Sequence, residues 1–174
     1  MKTIHRYILV LMVALLPVSS LLASDTAALS GDEEITRYLR EAQFASSYRH
    51  GIEVFVAKSG RSNSALRAIL TASDEEIITA VLPAYRQELT AEQARALADF
   101  YASDVGKAMT RQQVASIDNP GVPLNLTKSQ QRSLTDFMAT DAGQAALRTN
   151  QKAFLLKVNQ CIGNAFNVKE SSGK

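Results

Sequence analysis

The aspartates at 99, 104, 136 and 141 are the side chains whose type and spacing best suit chemistry. Two carboxylates facing one cleft can divide acid and base roles in glycoside hydrolysis, so these four define one reading, a hydrolase of envelope glycans. A structural reading competes and is the stronger. Asp104 and Asp141 follow Ser103 and Thr140, where an acid complements the positive start of a helix. Asp99 and Asp136 follow Arg95 and Arg132 by four residues, the spacing of an ion pair within one helix.

Other chemistries have less to work with. His50 is the sole histidine beyond the first few residues, which excludes a two-histidine metal site within one chain. A serine-histidine-acid triad would have to use His50, which sits beside Arg49 on a long helical stretch with no nucleophile elbow nearby, so it reads as a solvated helix residue. Cys161 is the only cysteine, so no internal disulfide can form. On an apolar helical stripe it reads as a small hydrophobe, with a disulfide between two chains as the alternative. The glycines are scattered and form no phosphate-cradling loop. No catalytic, cofactor-binding or metal-ligating residue is therefore assigned, and no cofactor is expected.

Residues 1–23 read as a secretory leader. Lys2, His5 and Arg6 form a basic start, Tyr7 to Leu16 is an unbroken apolar run, and Pro17, Ser19 and Ser20 precede small residues around Ala23. Tyr7 to Ala23 also reaches the lower limit for spanning a bilayer, which leaves membrane contact open. Without the leader the chain carries 17 basic and 17 acidic residues, so its apparent basicity resides in the export signal. With that neutral balance nothing suggests the basic face a nucleic-acid partner needs, and no nucleic acid is expected. The expected destination is the periplasm, and the expected partner an envelope protein or peptide.

Residues 24–168 suit a single all-helical domain, with 169–174 as a flexible tail. Ser30-Gly31-Asp32-Glu33 and Ser73-Asp74-Glu75-Glu76 have the form of capping boxes and predict helix starts. Apolar residues from Ile35 to Val56 recur at helical steps, predicting one long helix with Gly51 as a bend. A short helix is predicted over 64–70. Pro83 predicts a kink or an early end in the helix that follows Ser73. A final stripe runs through Leu147, Phe154, Leu155, Val158, Cys161, Ile162, Ala165 and Phe166. Strand signals are nearly absent.

Residues 89–108 align without a gap to residues 126–145, and eleven of the twenty positions are identical. This predicts an internally duplicated helix-turn-helix motif. Thr90 with Gln93, and Thr127 with Gln130, make the same capping box. Leu97 with Phe100, and Leu134 with Phe137, are three apart and should face the core together. Ser103 and Thr140 then cap a second helix in each copy. Gly106 and Gly143 sit three residues past those caps, where glycine costs about 1 kcal/mol relative to alanine. Accepting that twice implies that the missing side chain lets the preceding aromatic helix approach the backbone. Asp118-Asn119-Pro120-Gly121 between the copies is a turn signal.

Leu89-Thr90, Leu97, Asp99-Phe100-Tyr101, Ser103 and Val105-Gly106-Lys107 together resemble the hallmark of the bacterial family known as domain of unknown function 2059. That pattern runs from leucine-threonine through a phenylalanine-tyrosine pair to a serine-x-x-glycine turn. The likeness extends over residues 75–113 and is weaker in the second copy, where Met138 stands in place of the tyrosine. It implies an exported, mostly periplasmic helical protein and implies no catalytic residues. The expected architecture is an all-α bundle of about six helices, acting as a non-enzymatic interaction protein.

Overall fold

The computed structural model describes residues 30–119 and 121–171; the expected leader at 1–23 lies outside them. Within the described residues the protein is all-α, with nine helices and no strand: α1 (Gly31–Glu41), α2 (Phe44–Ser59), α3 (Ser64–Thr71), α4 (Asp74–Tyr85), α5 (Ala91–Ala102), α6 (Asp104–Asp118), α7 (Lys128–Met138), α8 (Asp141–Thr149) and α9 (Lys152–Ser171). None of them is long and apolar enough to cross a membrane.

All four predicted capping boxes form. Ser30, Ser73, Thr90 and Thr127 each accept a hydrogen bond from the backbone N–H three residues on, and the Glu or Gln there reaches back to the cap N–H. Each reciprocal pair satisfies two of the donors a helix start leaves open, and local spacing alone is enough to specify it.

The long first helix is two helices. The chain breaks at Ala42 and Gln43, where Gln43 adopts φ 51°, and Gly51 lies inside α2. An αL residue ends the first run of helical hydrogen bonds and redirects the chain, so α1 and α2 present different faces to the core. The final stripe is likewise split. Leu147 belongs to α8 and is 47% exposed, and Leu155 on α9 is 45% exposed; Phe154, Val158, Ile162 and Phe166 carry the buried face of α9. α9 runs on to Ser171, past the point where a tail was expected to begin. The break at Ala42 and Gln43 adds one helix, and the described residues hold nine where about six were expected. Pro83 lies in the last turn of α4, which ends two residues later at Tyr85.

The core is a single cluster centred on α1, α4, α5 and α9. Ile35 and Leu39 of α1, Ile77, Ile78 and Val81 of α4, Leu97 of α5 and Ile162 of α9 are almost wholly removed from water. Ala94 and Ala98 flank Leu97 on the buried face of α5, and such small side chains let α1 lie close along it. Polar ties cross the same layer: Arg40 of α1 forms a two-pronged ion pair with Glu75 of α4 at 2.8 and 3.0 Å, and Arg49 of α2 reaches Asp74 at 2.6 Å.

Candidate functional site

The motif residues build two corners of similar local shape. At the α5–α6 corner the Ser103 hydroxyl donates to the Phe100 carbonyl at 2.5 Å and accepts from the Gly106 N–H at 3.2 Å. At the α7–α8 corner the Thr140 hydroxyl donates to the Phe137 carbonyl at 2.7 Å and accepts from the Gly143 N–H at 3.1 Å. Each hydroxyl thus closes one helix and starts the next. Asp104 and Asp141 sit exposed in the first turns they precede, as the dipole argument requires.

The glycines have the role predicted for them. A Cβ on Gly106 would lie 2.9 Å from the Phe100 carbonyl carbon and closer still to its oxygen; on Gly143 it would meet Phe137 in the same way at 2.9 Å. Rigid backbone occupies the space, so any side chain would force the two helices apart.

The intrahelical ion pairs do not form as expected. Arg95 instead binds Glu34 of α1 at 2.8 Å, and Asp99 binds Arg37 of α1. Glu34 is only 2% exposed and also takes Arg37 at 3.3 Å, so a buried acid draws both arginines toward α1. An unpaired carboxylate at that depth would be far more costly than the loss of a surface pair along one helix. Among the described residues no ion pair joins Arg132 to Asp136. The two copies differ in burial as well. Leu97 is wholly buried, whereas Leu134 is half-buried and α7 has no fully buried residue.

Where α5 meets the α7–α8 corner, the structure opens a groove of about 780 Å³. Its floor holds Phe100 and Phe137, stacked with ring centroids 3.8 Å apart and planes 10° from parallel. Glu92, Asp99 and Asp141 stand around it, exposed, with Ser103 and Thr140 supplying hydroxyls. Thus Asp99 and Asp141 share one surface depression, while Asp104 and Asp136 lie outside its lining. Of the four candidate aspartates, then, the structure brings two to one depression and leaves two apart from it.

His50 is half-buried rather than a solvated helix residue, with Nε2 2.9 Å from Asp118 at the end of α6 and Nδ1 3.3 Å from Glu53. Those two carboxylates raise its pKa above the ordinary imidazole value. The Asp118 contact spans 68 residues of chain, which no local spacing could reveal. Cys161 is half-buried against the core, unpaired. Among the described residues no group of three or more His, Cys, Asp or Glu side chains is placed to hold a metal ion.

With both corners in view, the family comparison is specific to the first of them. Residues 75–119 match the family described as an uncharacterized protein conserved in bacteria (DUF2059). The matched DUF2059 segment runs from the first turn of α4 to the residue after α6, so it takes in the Thr90 box, the Ser103 corner and Gly106, and stops before α7. No match was found among curated proteins or among solved structures.

Proposed function

We propose that this is an exported, non-enzymatic binding protein that holds a basic, apolar peptide segment of an envelope protein in the groove between α5 and the α7–α8 corner. The observation that carries the reading is the Phe100–Phe137 stack, an apolar floor flanked by the exposed carboxylates of Glu92 and Asp141, with Asp99 beside them already paired to Arg37. A floor of that kind takes apolar side chains, and the acidic rim favours Lys or Arg on the same segment. No basic side chain lines the groove among the described residues, and with Asp99 engaged by Arg37 of α1 it is Glu92 and Asp141 that set its charge against an acidic segment.

In the same reading, α5–α6 and α7–α8 are two copies of one unit related by a pseudo-twofold axis passing near the phenylalanine stack. The eleven identities, the matched hydroxyl corners and the matched glycines support this. So does the exchange of packing partners, α5 lying on α8 while α6 lies on α7. Two copies facing each other create a seam, and the groove is that seam. Export to the periplasm through cleavage of residues 1–23 completes the reading, and N-terminal sequencing of the exported protein tests that part.

Binding is tested by fluorescence anisotropy with two labelled peptides of equal length, one alternating lysine with leucine and one alternating glutamate with leucine. The basic peptide is expected to bind, to weaken as salt rises, and to weaken at least tenfold with Phe137→Ala or with Glu92→Gln combined with Asp141→Asn. Equal binding of both peptides, or of neither, refutes the reading.

A further inference from the structure

The four tyrosines of the described residues, Tyr38, Tyr48, Tyr85 and Tyr101, come from four different helices and all line one cavity of about 300 Å³, with Phe44 as a fifth ring. The rings form a continuous wall. Phe44 stacks on Tyr48 at 5.9 Å, Phe44 and Tyr38 each meet Tyr85 edge-on at 6.0 Å, and Tyr101 leans on Tyr38 at 5.6 Å. The cavity is separate from the groove, because Phe100 faces the groove while its neighbour Tyr101 lines the cavity.

Three features narrow what the cavity would take. First, none of its lining residues is charged; the polar groups are hydroxyls and amides, including Ser47, Thr149 and Asn150. A buried charge would find no counterion there, which selects against ionised ligands. Second, Ser47 is 8% exposed and its hydroxyl has no hydrogen-bond partner among the described residues, a state buried polar groups seldom keep. Third, the four phenols carry O–H donors, since an ordinary phenol is already protonated across the physiological range and burial raises the pKa of each further. Tyr48 already spends its donor on Asn159 at 3.0 Å.

We propose that this cavity is a binding site for a small neutral molecule with a planar apolar body and a hydrogen-bond acceptor such as a carbonyl. The planar body lies among the five rings, where edge and offset contacts between aromatic groups are favourable. The acceptor takes hydrogen bonds from phenol hydroxyls and from Ser47. Such a lining, five aromatic rings and several aliphatic side chains with hydroxyl and amide groups among them, has the composition of small-molecule sites in general. An aromatic wall also attracts quaternary ammonium ions, which makes a cation the rival ligand.

The test is calorimetric titration of the full chain with acetophenone as the neutral carbonyl probe, benzoate as its anionic counterpart and tetramethylammonium as the cation. Acetophenone is expected to bind, benzoate and tetramethylammonium at least tenfold more weakly. Tyr101→Phe and Tyr85→Phe, which keep the rings and remove single hydroxyls, are expected to weaken acetophenone at least fivefold without a large change in melting temperature. Absence of acetophenone binding to the wild-type protein overturns the proposal. Preference for tetramethylammonium, or acetophenone binding indifferent to both tyrosine variants, overturns it as well. Because the peptide assay reads the other site, failure of either leaves the other standing.

Discussion

Phe100 and Phe137, 37 residues apart in the chain and at matching positions of the two similar segments, lie face to face with centroids 3.8 Å apart. That spacing is shorter than the range of about 4.5–7 Å in which offset or edge-on rings gain most from their quadrupoles. A near-parallel overlap therefore gains less than an ideal pair. In a double-mutant cycle using Phe100→Leu and Phe137→Leu, the coupling energy is expected to be about 0.5 kcal/mol, the low end for aromatic pairs. Coupling near zero would mean that the rings are neighbours without being partners.

Glycines at 51 and 106 should respond in opposite directions to the same substitution. Gly51 lies inside α2 with open space where a Cβ would be placed, so Gly51→Ala is expected to stabilise by about 0.5–1 kcal/mol through helix propensity. Gly106 presses on the Phe100 backbone, so Gly106→Ala is expected to destabilise by about 1–3 kcal/mol and Gly106→Val by more. Lys107→Val, on the exposed side of the same turn, should shift the melting temperature little. Thermal melts of the four variants check the ordering, and equal values for Gly106→Val and Lys107→Val would reject the close-packing account.

What could be read ahead of the structure was what three or four consecutive residues specify. The Thr90 and Thr127 boxes need only a hydroxyl and an amide three residues apart, and both form. Gly106 and Gly143 became legible because the same costly choice occurs twice in one context. Gln43 carried no such mark: glutamine has no preference for αL, and its φ of 51° is imposed where α1 and α2 each pack against the core. Arg95 and Asp99 misled for a related reason. Their spacing fits an intrahelical pair, but Glu34 on another helix is more deeply buried and outcompetes it. The tyrosine cavity draws on residues scattered from 38 to 155, so only the assembled helices reveal it.

Arg95 should matter through Glu34 more than through its own packing. Arg95→Met leaves the Glu34 carboxylate with Arg37 alone, at 3.3 Å, and is expected to destabilise by about 2 kcal/mol, less than a fully buried pair because Arg95 is itself 47% exposed. Adding Glu34→Gln to Arg95→Met removes the stranded charge and should recover part of that loss. If urea denaturation finds the double variant no more stable than Arg95→Met, the buried charge is not the origin of the effect.

The His50 bridge between α2 and the end of α6 supplies a pH dependence whose sign is fixed by the direction of its shift. Its hydrogen bonds to Asp118, then Glu53, favour the imidazolium and raise its pKa on folding. A group raised in this way binds more protons folded than unfolded between the two values. Its stabilising contribution is therefore complete below the ordinary imidazole value of about 6.5 and fades as pH climbs through the raised folded value. Melting temperatures of wild type and His50→Gln, measured at several pH values, should differ most on the acid side of that window and converge above it. Asp118→Asn should remove most of the same difference, because the larger of the two hydrogen-bond contributions comes from Asp118. A gap that widens with rising pH, or one that Asp118→Asn leaves intact, would place the His50 contribution elsewhere than in this bridge.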